Sequence, residues 1–186
     1  MNESSDNFCD RALRWLPGGS NGEYGIPEGD APVIDRGAGC RVWDTDGREY
    51  LDMTMAWGAA LVGHAHPKVA QALSEQGQTL VHTSNLYDIP HQTRLAERLC
   101  ALSGMDNVFF CNSGAEANEA AVKMARLYGH KKGIELPTVL VMDNAFHGRT
   151  LATLSASGSR KIQAGFEPLV RGFVRGPFND IEALKV

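Results

Sequence analysis

The second half of the chain alternates between two patterns of apolar and polar positions. Val108 to Cys111 is a short run of β-branched and aromatic residues, typical of a strand that is buried on both faces. Between Ala117 and Tyr128 the apolar residues recur at helical spacing and form one stripe, which predicts an amphipathic helix. Thr138 to Met142 is a second run of the strand type. A strand, a helix and a strand in this order predict a βαβ crossover with parallel strands, and hence an α/β fold.

The turn between the first strand and the helix is the most informative local pattern. Ser113 stands three residues before Glu116, which is the capping-box spacing, so we expect the helix to begin there and to end at Gly129. Small residues at Ser113, Gly114 and Ala115 would let an anion approach the free N–H groups at the positive end of the helix. An ordinary capped helix after a strand is the alternative, and the turn by itself favours that alternative.

Turn residues and the spacing of apolar residues predict further elements in the rest of the chain. They are a short helix from Phe8 to Leu16, a glycine-rich loop from Gly18 to Gly29, a hairpin of Cys40–Trp43 with Arg48–Asp52, a helix from Pro67 to about Leu80 that buries Val69, Ala70, Leu73 and Leu80, and a helix from about Pro90 to Leu102 that ends at Gly104. The loop is either an active-site flap or a surface connector.

Composition and charge narrow the classes of function. The 186 residues include 43% hydrophobic and 22% charged residues, an ordinary composition for a globular domain. The formal net charge of −4 provides no basic surface, so we expect no nucleic-acid partner. No apolar run has the length of a membrane span, and the polar N-terminus lacks the apolar core of a signal peptide. We therefore expect no membrane association and a cytoplasmic location.

The histidines and cysteines do not form a pattern that favours a metal site. The four cysteines lack metal-type spacing, and the His-x-His pair of His64 and His66 has no nearby carboxylate or cysteine partner. Pro67 suits the first position of a helix, with His66 just before it. We expect no metal site.

A longer motif changes the interpretation of the turn. The ten residues from Asn112 to Ala121, Asn-Ser-Gly-Ala-Glu-Ala-Asn-Glu-Ala-Ala, are followed downstream by Phe146-His-Gly-Arg-Thr150. Together they closely resemble the class III aminotransferases, which use pyridoxal 5′-phosphate (PLP), and within that class the acetylornithine and succinylornithine aminotransferases. The resemblance extends from about Pro32 to the last residue.

The resemblance implies a fold and a division into domains. It implies a PLP-dependent transferase of the aspartate aminotransferase type, fold type I, of which this chain is a truncated part. Residues 1–74 would be the N-terminal segment of the small domain, with the hairpin near residues 40–52. Residues 75–186 would be an incomplete PLP-binding large domain with part of its parallel sheet. The family resemblance also implies a homodimer for the complete enzyme.

The resemblance also implies roles for individual residues. Ser113, Gly114 and Ala115 would bind the cofactor phosphate. Phe146 and His147 would contact the cofactor, with Phe146 flat against the pyridine ring, and Arg149 would bind a substrate carboxylate. Trp57 would lie in the segment that lines the substrate entrance. Core packing for the aromatic residues and a surface ion pair for Arg149 are the alternatives that single residues leave open.

Two parts of PLP chemistry have no candidate in this sequence. The reaction needs a lysine that forms a Schiff base and an acid that faces the pyridine nitrogen. None of the six lysines matches the family's lysine motif; they are Lys68, Lys123, Lys131, Lys132, Lys161 and Lys185. The resemblance implies that both groups come later in full-length enzymes. We therefore assign no catalytic residue here and expect the isolated chain to be inactive.

The predicted activity is a transamination that moves the ω-amino group of an ornithine-like, N-acylated donor to a 2-oxo acid. One alternative is an enzyme similar to glutamate-1-semialdehyde aminomutase, because the segment Pro17-Gly-Gly and the pair Trp57-Gly58 resemble that relative. Another alternative is a catalytically inert fragment or pairing partner. A reading frame that continues into the lysine motif would favour the enzyme.

Overall fold

The computed structural model describes residues 5–17 and 32–185, with the backbone only for residues 5–7. The chain divides after Tyr87 into two compact units, residues 1–87 and 88–186, called the first and second unit below. The glycine-rich loop predicted from Gly18 to Gly29 lies outside the described residues.

The first unit is built on a small antiparallel sheet. Its elements are α1 (Ser5–Trp15), β1 (Ile34–Ala38), β2 (Arg41–Asp44), β3 (Glu49–Leu51), a short 3-10 segment (Met55–Gly58) and α2 (Pro67–Thr79). The strands lie in the order β1-β2-β3, so the hairpin expected near residues 40–52 is present as β2 and β3. Buried Asp44 organises its turn by accepting hydrogen bonds from the N–H of Asp46 (3.0 Å), the N–H of Arg48 (2.8 Å) and the hydroxyl of Tyr50 (2.7 Å).

The second unit combines helices with two parallel strands. Its elements are α3 (Pro90–Ser103), α4 (Gly114–Lys131), β4 (Val139–Met142), α5 (Leu151–Ala156), α6 (Arg160–Gln163) and β5 (Phe173–Gly176). Strands β4 and β5 pair in parallel from Val139 with Phe173 to Met142 with Gly176. The α/β class predicted from the sequence is confirmed. Helix α3 ends at Gly104, whose φ of 72° is the left-handed conformation that glycine adopts most readily.

The predicted strand from Val108 to Cys111 is wrong for this structure. These residues form no ladder with another described segment, and the side chain of Phe109 is 70% exposed. A strand requires a neighbour that completes its backbone hydrogen bonds, and the described residues provide none. The parallel crossover therefore runs from β4 through α5 and α6 to β5, instead of from residues 108–111 through α4.

Two further predictions are wrong in detail. Helix α4 continues through Gly129 to Lys131, and Gly129 leaves room for Pro137 to pack on the helix. The apolar side of α2 is not buried within the described residues: Val69, Ala70, Leu73 and Leu80 are all exposed, with Leu73 at 70%. Helical spacing identifies an apolar face, but it does not say which element packs on it.

The best-packed region of the second unit surrounds α5. Val141, Leu154 and Ala156 are buried there together with the polar side chains of Thr153 and Ser157, which are fully buried. Buried polar groups need hydrogen-bond partners, and the buried side-chain amide of Gln163 is the partner of two carbonyl groups. Its Nε2 donates to the carbonyls of Leu154 (3.0 Å) and Ser157 (2.6 Å), and these bonds hold α6 against α5.

The contact at Gly129 predicts that substitution by alanine has opposite effects on stability at two helical glycines. A methyl group at Gly129 would lie 2.7 Å from Cβ of Pro137, whereas one at Gly77 in α2 would meet no atom within 4 Å. Gly129→Ala should therefore destabilise α4 by about 1 kcal/mol, because overpacking outweighs the gain in helix propensity, and Gly77→Ala should stabilise α2 by up to about 1 kcal/mol. Residue-resolved amide hydrogen exchange of both helices measures this. Slower exchange in α4 of Gly129→Ala would contradict the predicted overpacking against Pro137.

Candidate active site

The start of α4 has the geometry of an anion site. The hydroxyl oxygen of Ser113 accepts a hydrogen bond from the N–H of Glu116 (3.2 Å), as the capping-box spacing predicts. In a capping box the carboxylate of Glu116 would accept from the N–H of Ser113, but here it accepts from the N–H of Asn112 (2.7 Å). The N–H groups of Gly114 and Ala115, in the first turn, have no acceptor within the helix. They remain available to a ligand, as does the hydroxyl hydrogen of Ser113.

The segment that carries Phe146, His147 and Arg149 is attached to this helix end. The side-chain amide of Asn118 donates to the carbonyl of His147 (2.8 Å), and the hydroxyl of Thr150 donates to the carboxylate of Glu119. The hydroxyl of Ser157, the residue that follows α5, accepts from the N–H of His147 (3.0 Å). The segment is therefore held between α4 and the end of α5.

Gly148 allows the segment to approach α4 closely. A Cβ at this position would lie 2.5 Å from Oγ1 of Thr153 and 2.8 Å from Cβ of Ala115. The φ of Gly148 is 136°, a conformation that residues with a side chain rarely adopt. Glycine is required here for both reasons.

A cavity of about 370 Å³ lies where the helix end and the segment meet. Its lining contains five residues with a predicted role, which are Gly114, Ala115, Phe146, His147 and Arg149. Two further lining residues, Asn118 and Gly148, had no predicted role. Ser113 directly precedes this lining in sequence. Among the residues that the structure describes, no lysine is part of the lining. Asn118 belongs to the ten-residue motif, so its membership of the motif was the signal that could have identified it.

Phe146 and Arg149 lie against each other. The guanidinium carbon of Arg149 is 4.7 Å from the centroid of the Phe146 ring, which is 66% exposed. Such a cation–π contact orients the planar guanidinium group over the ring. The two residues predicted to contact the cofactor and the substrate are thus neighbours at the mouth of the same cavity.

The residues of the cavity fit a ligand with a phosphate group and a planar ring. The helix end offers backbone N–H donors and the positive end of a dipole, and Phe146 offers an aromatic face. In addition, Nε2 of His147 is buried and has no hydrogen-bond partner among the described residues. A buried polar atom of this kind requires a partner, which a polar ligand can supply.

Trp57 lies in the first unit, on a segment with an unusual backbone. Met55, Ala56 and Trp57 have φ values of 45°, 51° and 56°, which place three successive side-chain-bearing residues in the left-handed region. Asp52 holds the start of this segment, because its Oδ1 accepts from the N–H of Thr54 (3.0 Å) and the N–H of Met55 (2.9 Å). The side chain of Trp57 is 84% exposed.

His64 connects Asp52 to Gly39. Its Nε2 lies 2.7 Å from Oδ2 of Asp52, and its backbone exchanges two hydrogen bonds with Gly39, of 2.8 and 3.0 Å. The hydrogen bond from His64, with those from Thr54 and Met55, holds the pKa of Asp52 well below its usual range.

A comparison with known proteins assigns the chain to a family. Residues 26–186 match the family model described as aminotransferase class III. The chain belongs to the class III aminotransferases. The acetylornithine aminotransferase of Nitrosomonas europaea is 60% identical over 149 residues, which are 80% of this chain and 38% of that protein. The present class III chain thus spans well under half the length of the curated relative that it matches.

Solved structures agree with this assignment. The ornithine aminotransferase of Toxoplasma gondii is 29% identical and superimposes with a TM-score of 0.88, over 98% of this chain and 42% of that one. The taurine:2-oxoglutarate aminotransferase of Bifidobacterium kashiwanohense, solved in complex with PLP and glutamate, is 25% identical with a TM-score of 0.82, over 95% of this chain and 39% of that one. The resemblance to PLP-dependent enzymes of fold type I is confirmed.

Within residues 5–17 and 32–185, no group of three or more histidine, cysteine, aspartate or glutamate side chains is placed to hold a metal ion. In the same ranges, no helix combines the length and the apolar character that crossing a membrane requires.

The lowered pKa of Asp52 predicts a loss of local order in acid. Because the carboxyl group has a lower pKa in the folded protein than the usual value of about 3.9 in the unfolded chain, the unfolded chain takes up the proton first as the pH falls. The stabilisation of residues 53–58 should be complete above about pH 4 and decline below it. Amide exchange of these residues between pH 2 and 6 measures this.

Asp52→Asn provides the control for this titration. The variant should order residues 53–58 less well at neutral pH and should show little further change in acid, because it has no carboxyl group to protonate at position 52. If Asp52→Asn and the unmodified chain lose protection in parallel as the pH falls, another group controls the segment.

Proposed function

We propose that this chain is the N-terminal part of a PLP-dependent transaminase that moves the ω-amino group of an N-acylornithine to a 2-oxo acid. The observation that carries the proposal is the cavity in which the start of α4 meets the segment from Phe146 to Arg149. The similarity to the acetylornithine aminotransferase of Nitrosomonas europaea supports the choice of donor.

The start of α4 would hold the cofactor phosphate. The N–H groups of Gly114 and Ala115 and the hydroxyl of Ser113 would donate to its oxygens, and the helix dipole would favour its negative charge. Phe146 would restrain the cofactor ring by stacking, and Nε2 of His147 would find its partner on the ligand. The bound cofactor supplies the electron sink for the transfer.

Arg149 would bind the carboxylate of the amino-acid substrate. Its guanidinium group can form two parallel hydrogen bonds with a carboxylate, and the contact with the Phe146 ring limits the orientations available to it. Trp57 would line the substrate entrance, a role that is supported by its exposed side chain and by the ordered segment that carries it.

The remaining parts of the proposal concern the assembly around this cavity. We assign residues 1–74 to the small domain and residues 75–186 to the PLP-binding domain of a cytoplasmic homodimer. Because no lysine lines the cavity, the lysine that reacts with PLP would come from another part of the polypeptide. The isolated chain would then bind PLP without turnover.

One assay separates the proposed reaction from its alternatives. The full-length polypeptide that carries this segment is incubated with PLP, N-acetylornithine or N-succinylornithine, and 2-oxoglutarate. We expect glutamate to form with either donor. Conversion of glutamate-1-semialdehyde without a second substrate would favour the aminomutase alternative, and the absence of both reactions would favour an inert protein.

A labelling experiment tests whether this chain contains a reactive lysine. After addition of PLP and reduction with borohydride, mass spectrometry should find only scattered, substoichiometric labelling of the six lysines. The same treatment of the full-length polypeptide, which should label one lysine stoichiometrically, is the control. Stoichiometric labelling of one lysine of this chain, such as Lys123, would show that the proposal is wrong on this point.

Substitutions in the full-length enzyme test the two binding roles. Charge-assisted hydrogen bonds contribute roughly 1.5–3 kcal/mol each, and lysine cannot reproduce the paired bonds of arginine. Arg149→Lys should therefore lower kcat/KM for the amino donor by about one to two orders of magnitude with little change in PLP affinity. Ser113→Ala should mainly accelerate PLP dissociation. The roles would be reversed if Arg149→Lys released the cofactor while keeping normal substrate kinetics.

A further inference from the structure

Two side chains of the ten-residue motif have no part in the binding roles above. Asn118 and Glu119 are adjacent on α4, about one and a half turns after Ser113, and both are half-buried. Asn118 donates to the carbonyl of His147 (2.8 Å), and Glu119 accepts from the hydroxyl of Thr150. Both contacts are directed at the segment that carries Arg149.

We propose that Asn118 and Glu119 are positioning residues that fix Arg149 relative to the phosphate-binding start of α4. The inference rests on the proposed function for the roles of Ser113 and Arg149. It adds that Asn118 and Glu119, in the second part of the motif, set the distance between Ser113 and Arg149.

The places of the two contacts support this role. They fall on His147 and Thr150, the residues on either side of the pair Gly148-Arg149. Gly148 packs against Ala115 of the same helix. A segment that is attached at both ends and packed in its middle has little freedom to move relative to the helix.

The chemistry of each contact is directional. The amide of Asn118 provides the donor that a carbonyl requires, and the ionised carboxylate of Glu119 can only accept, so Thr150 must donate its hydroxyl hydrogen. The oxygen of Thr150 then remains free to accept from the N–H of Thr153 (3.4 Å) at the start of α5. Thr150 can therefore donate to Glu119 on α4 and accept from the start of α5 at the same time.

Removal of the two contacts should disturb the position of Arg149 without releasing the cofactor. The donors at the start of α4 do not depend on Asn118 or Glu119, so phosphate binding should persist when the two contacts are removed. Arg149 would then hold the substrate in a wider range of positions relative to the cofactor, and small misplacements of reacting groups lower turnover strongly.

Matched variants of the full-length enzyme test this inference. Glu119→Gln and Glu119→Leu both remove the charge, but only glutamine keeps an oxygen that accepts from Thr150. Asn118→Leu removes the amide at similar volume. The measurements are amide exchange of residues 146–150, kcat and KM for N-acetylornithine, the PLP dissociation rate and the global unfolding midpoint.

We expect each leucine variant to accelerate exchange in residues 146–150 and to lower kcat/KM by about 3- to 30-fold, mainly through kcat, with PLP dissociation changed less than about threefold. Glu119→Gln should remain close to the unmodified enzyme in all four measurements. The double leucine variant should show non-additive losses, because both contacts restrain one segment.

Three results in the exchange and turnover measurements would overturn the inference. They are unchanged exchange in residues 146–150 of the leucine variants, accelerated exchange with unchanged turnover, and equal losses in Glu119→Gln and Glu119→Leu. A lower unfolding midpoint with uniformly faster exchange would indicate a purely structural role and also contradict it. If the unmodified enzyme transaminates no donor, the proposed function fails, whereas the exchange data still decide whether the two contacts restrain the segment.

Discussion

Both polar groups of the His147 backbone are hydrogen-bonded to side chains, the N–H to Ser157 at the end of α5 and the carbonyl to Asn118 on α4. Because a peptide unit is planar, two bonds on opposite sides of one residue restrict its orientation strongly. The neighbouring residues Phe146 and Arg149 are placed by this restriction. The two hydrogen bonds thus hold His147 in the lining of the cavity.

The parts of the structure that follow from local sequence were predictable, and those that depend on distant partners were not. The cap at Ser113 and the left-handed Gly104 after α3 need only a few adjacent residues. The contact between Asn118 and His147 joins positions 29 apart, and no local pattern encodes it. Residues 108–111 illustrate the same limit, since apolar character is local but strand pairing is not. The family motif was informative because it links both segments.

Exposed apolar side chains are a second general property of this chain. Many large hydrophobic residues of the described ranges are exposed, among them Leu73 (70%), Phe109 (70%) and Phe146 (66%). In the described residues, the buried apolar set consists of Val42, Val141, Leu154 and Ala156. The two units therefore bury little apolar surface for their size, and most of their hydrophobic side chains are available to further protein surface.

The three left-handed residues before Gly58 have a consequence for sequence variation. Each left-handed residue with a side chain costs roughly 1–2 kcal/mol relative to the right-handed form, and a β-branched side chain costs more. A saturation library at positions 55–57, selected for folding alone, should become enriched in glycine, asparagine and aspartate and depleted of valine and isoleucine. Methionine, alanine and tryptophan at these positions are poor choices for the backbone. Backbone strain of this kind persists only where the surrounding structure holds it, and it is concentrated at functional segments.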